Sequence, residues 1–177
     1  MAEALAIVGA LAACLQLAKG FSELGKSIVA ASQGIRYVPE YISELKDSAE
    51  LFTISLRKLV RAAKKAYSDN KESTEARETA KAMDIIRSQG RKLKPKIYDL
   101  VRQVEGRLFS STFSQLFSKL RVLFKQTGVQ SLQNSLHRLM HTTHLLGSGI
   151  ILDTLLARIK KLEDEDIPVS EDLRDEV

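Results

Sequence analysis

The chain has 177 residues, the length of one domain and enough to bury a sizeable core. Hydrophobic residues at 44% and charged residues at 28% exclude a disordered chain, while three prolines, nine glycines, no tryptophan and 6% aromatics argue against a sandwich or barrel and for long helices. The net charge of +5 is uneven: residues 163–177 hold eight acids against Arg174 and carry −7, leaving +12 on the remainder, a body drawn to polyanions, anionic lipid or an acidic partner.

The first helix opens with an apolar run from Ala4 to Ala18 broken only by Gln16. A secretory signal needs a basic start, and the one early charge here is Glu3. At ~22 Å as a helix the run falls short of the ~30 Å hydrocarbon core of a bilayer, so it is expected to be buried in a bundle. Ile7, Leu11, Cys14, Ala18, Phe21, Leu24 and Ile28 step by three and four along one stripe. Cys14, the single cysteine, rules out an internal disulfide, fits a reducing compartment and reads as a small buried hydrophobe. Ala6 with Ala10, and Gly9 with Ala13, follow the small-residue spacing that lets helices approach closely in lipid, and alanine-rich faces also pack tightly in soluble bundles.

Gly34 ends this helix and Pro39 suits the first position of the second, whose stripe is Ile42, Leu45, Ala49, Phe52, Leu56, Leu59 and Ala63. Its second half carries Arg57, Lys58, Arg61, Lys64 and Lys65. Such residues keep a bundle soluble, or they face anionic lipid at ~1 kcal/mol each. Tyr67 and Tyr98 are isolated and no recognition motif is visible, so nucleic acid is not an expected partner. Ser73 or Thr74 caps a third helix with Ala76, Ala80, Met83, Ile86, Leu93, Ile97, Leu100 and Val104 inward. Pro95 predicts a kink or short break near Gly90–Pro95, and Gly106 a stop.

A shorter helix with Phe113, Leu116, Phe117, Leu120, Leu123 and Phe124 is expected before Gly128. The last helix runs from about Val129 to Leu162, with Leu132, Leu136, Leu139, Thr143, Leu146 and Ile150 inward and a possible bend at Gly147 and Gly149. His137, His141 and His144 share the opposite face. A histidine pair four apart can bind zinc, but no carboxylate lies nearby in sequence, and the face reads as solvated. The acidic residues 163–177 read as a solvated linker or end segment, with folding back as a charge mask on the basic body as the alternative. The expected fold is all-α: an antiparallel bundle of four to five helices over residues 1–162. No glycine-rich phosphate loop, paired catalytic motif or nucleophile elbow occurs, so neither an enzyme nor a cofactor is expected.

The opening Met1-Ala2-Glu3-Ala4-Leu5-Ala6-Ile7-Val8-Gly9-Ala10, the segment Val38-Pro39-Glu40-Tyr41-Ile42, and Phe117-Ser118-Lys119-Leu120-Arg121-Val122-Leu123-Phe124-Lys125 leading into Val129–Leu146 resemble fungal HeLo-like (SesA-type) N-terminal domains. The likeness spans nearly all of residues 1–162; the family pattern often has a tryptophan near Val122–Leu123, and this chain has none. It implies a cytosolic, non-enzymatic domain of fungal NLR-like receptors or amyloid-motif signalling proteins. Such a domain oligomerises on activation, moves to the plasma membrane and executes cell death. Membrane insertion would then fall to Leu5, Ile7, Val8, Leu11 and Leu15, close packing to Ala6, Gly9, Ala10 and Ala13, and contact with anionic lipid to Arg57, Lys58, Arg61, Lys64 and Lys65. A helical adaptor that binds protein and never touches lipid is the alternative.

Overall fold

The computed structural model describes residues 2–32, 40–68, 73–108 and 128–164. Among them are four helices and no strand: α1 (Ala2–Ser32), α2 (Glu40–Ala66), α3 (Thr74–Leu108) and α4 (Val129–Asp164). The expected aromatic helix over 113–124, and the acidic segment beyond residue 164, lie outside the described residues.

The stripes become the core. Ile7, Cys14, Phe21 and Leu24 of α1, Leu45, Phe52, Leu56 and Leu59 of α2, Met83, Ile86 and Ile97 of α3, and Leu136 and Leu139 of α4 are all buried. The Phe21 and Phe52 rings meet edge to face, with centroids 4.8 Å apart. Consecutive helices run antiparallel. Ile7 sits beside Val60 and Ala63, and Phe21 beside Phe52, which sets α1 against α2. Side-by-side order differs from chain order. Cys14 meets Met83, Leu17 meets Gly90 and Gly20 meets Lys94, so α1 and α3 are parallel neighbours. Glu44 bonds Gln133, Ser48 bonds His137 and Leu59 meets Gly147, so α2 and α4 are parallel neighbours too. The ring order is therefore α1, α2, α4, α3. The beginning of α1 and the ends of α2 and α4 share one end of the bundle.

Local signals hold in part. Ser73 caps α3, its hydroxyl accepting from the Ala76 amide at 3.1 Å. Gly128, with φ of 62°, takes the left-handed conformation immediately before α4. However, α3 runs through Gly90 and Pro95 without a break and passes Gly106 to reach Leu108. Gly90 serves packing instead. A Cβ there would lie 2.6 Å from a Leu17 methyl, so its missing side chain is what lets α3 approach α1. Neither Gly147 nor Gly149 interrupts α4, and Gly147 faces the Leu59 backbone.

Candidate functional site

The early turns of α1 have two faces. Ile7 is 1% exposed and Leu11 half-buried, whereas Leu5, Val8 and Leu15 are 71%, 47% and 49% exposed. A run that is apolar from Ala4 to Ala18 except at Gln16, wound at 3.6 residues per turn, cannot hide all its side chains on one stripe, and the surplus forms an outward ridge. Ala10 and Ala13 are buried, while Ala6 and Gly9 are exposed and no atom approaches within 4 Å of a Cβ built on Gly9. The small residues thus divide between core and surface. Ala10 belongs to the core, and a charge there would unfold the bundle rather than probe a surface.

Between the start of α1 and the end of α2 runs a groove of about 380 Å³. Ile7, Val8, Leu11, Ala12 and Leu15 form its α1 wall; Val60, Ala63 and Lys64 form its α2 wall, with Tyr67 and Ser68 just beyond. Four of the five residues expected to insert into lipid therefore line one apolar cleft, with Lys64 at its edge. Arg57, Lys58, Arg61 and Lys65 occupy the outward face of the same α2 segment, and all five cations are exposed. None forms an ion pair with a described carboxylate. Spacings of three, four and seven keep them on one side of the helix, where their mutual repulsion is relieved by an anion.

The helix behind the ridge is longer than its uninterrupted apolar run. Leu5–Ala30 is long and apolar enough by length and composition to cross a membrane, although Lys19, Glu23 and Lys26 stand exposed along it. That stretch is ~39 Å long against a ~30 Å hydrocarbon core. Nearly half of its most apolar window is buried in the bundle, as the core helix of a soluble protein would be.

The histidine face of α4 is exposed as expected, at His137, His141 and His144 alike. One of the three also has a structural role: His137 shares a 3.0 Å hydrogen bond with the buried Ser48 across the α2–α4 seam. No group of three metal-ligating side chains comes together among the described residues. Cys14 is fully buried, and burial, reinforced by the nearby Asp84 and opposed by Arg87, raises its pKa to about 11. Its thiol lies 3.8 Å from the Met83 carbonyl.

Sequence reasoning missed two features. One is the groove, which needs the α1–α2 register. The other is an apolar surface on α4, where Leu145, Ile151, Leu152 and Leu156 are exposed and no residue after Ile150 is buried among those described. No family model, curated protein or solved structure matches this chain at a significant level.

Proposed function

We propose that the chain is a non-enzymatic, membrane-active helical domain that docks on anionic lipid through α2 and engages the bilayer with the beginning of α1. One observation carries the reading: Val8 and Leu15 of the exposed apolar ridge share a groove with Lys64, one of five exposed cations on that segment of α2, none ion-paired among the described residues. Membrane-surface binding requires that pairing, apolar area to enter the interface and cations to meet the headgroups. Deeper insertion would require Ile7 and its stripe to leave the core, and oligomerisation is the natural way to rebury what they uncover. The finer assignment rests on the resemblance of residues 1–162 to HeLo-like domains: a cytoplasmic cell-death or incompatibility effector, acting at the plasma membrane downstream of an NLR-like or amyloid-motif partner.

Flotation with vesicles tests the docking step. Binding to anionic vesicles should fall steeply with salt, since the cations act within a Debye length of ~8–10 Å. Reversing all five to Glu should abolish binding with helicity intact. Unchanged flotation of that variant would remove α2 from the mechanism. The adaptor reading is favoured by a different surface, the exposed Leu145, Ile151, Leu152 and Leu156 of α4. Tight capture by protein partners with no flotation at any salt would select it.

A further inference from the structure

We infer that the acidic residues 165–177 dock in cis on the α1–α2 groove and the basic face beside it, covering the surface assigned to lipid. Three observations converge. The first is placement. Register pairs Glu44 with Gln133, Ser48 with His137 and Leu59 with Gly147, so α4 runs alongside α2 and passes its end. The last turns of α4 extend ~15 Å beyond the level of Ala66, and the chain leaves Asp164 at the same end of the bundle as the groove.

The second is reach. Residues 165–177 span up to ~43 Å when extended, against ~15 Å to return to the level of Ala66 and ~20 Å to pass two packed helices. The third is chemical fit. The segment holds Glu165, Asp166, Glu171, Asp172, Asp175 and Glu176 against one cation, Arg174, and places Ile167, Val169 and Leu173 between its acids. The groove offers the complement, an apolar cleft walled by Val8, Leu15 and Val60 with Lys64 at its edge and four more unpaired cations on the same helix. A tether this short holds the segment at an effective concentration in the millimolar range, so a weak complementary contact suffices to keep it bound.

The test contains no lipid, so its outcome is independent of the membrane reading. Cysteines replace Ser68, at the groove, and Ser170, in the acidic segment, of the full chain; Cys14 stays, being buried with a raised pKa. Disulfide closure is read at equilibrium in a glutathione buffer. The expected result is a closed monomer at low salt, with an effective concentration about tenfold above that in 1 M salt. It should fall equally when Glu165, Asp166, Glu171 and Asp172 are replaced by Gln, Asn, Gln and Asn. A second readout is the amide resonances of Val8, Leu15 and Val60 in the full chain without added cysteines, which should shift on that same neutralisation. A Gln130→Cys/Ser170→Cys pair, at the far end of α4, should not close. Closure unaffected by salt and by neutralisation, a product of dimer mass, or unmoved groove resonances would each overturn the inference.

Discussion

Gly90 and Gly149 both lie inside long helices, and the structure separates the effects of the same substitution at the two sites. Replacing either by Ala removes the backbone-entropy penalty of a helical glycine, a gain of ~0.8–1 kcal/mol. At Gly149 a new Cβ meets no atom within 4 Å, so the gain should be realised in full. At Gly90 the Cβ would lie 2.6 and 3.1 Å from the two methyls of Leu17, which is itself buried against α3 and has little room to turn away. Overpacking of this kind costs ~1–3 kcal/mol, so Gly90→Ala should range from neutral to ~2 kcal/mol destabilising. Urea unfolding followed by circular dichroism at 222 nm reads the difference, ~1–3 kcal/mol between the two variants. In a Leu17→Ala background, Gly90→Ala should regain the behaviour of Gly149→Ala. If Gly90→Ala stabilises the otherwise unaltered chain as much as Gly149→Ala, the close approach of α1 and α3 as parallel neighbours is wrong.

Two further outcomes follow from burial. Leu56→Ala and Leu136→Ala, each at a fully buried position, should cost ~2–5 kcal/mol in the same unfolding assay, and neutrality of both would misplace the core. Cys14 should resist thiol reagents at neutral pH in the native protein and react once urea unfolds it. Its pKa is raised from 9.0 to about 11 by burial, so the folded state prefers the neutral thiol. The corresponding stability is present below pH 9 and declines between about pH 9 and 11, a loss that Cys14→Ala should remove from the pH profile of unfolding.

Periodicity identified which face of each helix turns inward. The three-and-four stepping from Ile7 to Ile28, from Ile42 to Ala63 and from Leu132 to Ile150 marks positions that are nearly all buried, because a stripe of that period can be hidden only against other helices. It could not say which helix would cover which stripe. That is set by contacts between distant positions, such as Leu17 with Gly90 or Ser48 with His137, and these carry no periodic signal. Gly90 shows the cost of reading a residue locally. Glycine before proline suggests a break, yet its role is close approach to another helix. The site was legible to the same degree. The basic cluster and the apolar start of α1 stand out in the sequence, but the division of that start into buried Ile7 and Ala10 and exposed Leu5, Ala6 and Val8 depends on where α2 and α3 lie.

Entry of the first turns of α1 into lipid is tested most directly at Ala6, which is exposed in the bundle and adjoins the ridge. Ala6→Asp should leave the fold unchanged, and Ser88→Asp, on the exposed surface of α3, adds the same charge away from the ridge. A carboxylate carried to bilayer depth costs ~2.5–3.5 kcal/mol, about a hundredfold in partitioning. In flotation with anionic vesicles, Ala6→Asp should therefore bind about a hundredfold more weakly than the unsubstituted chain, while Ser88→Asp stays within a few-fold of it. Equal, undiminished binding by both folded variants would contradict a membrane role for α1.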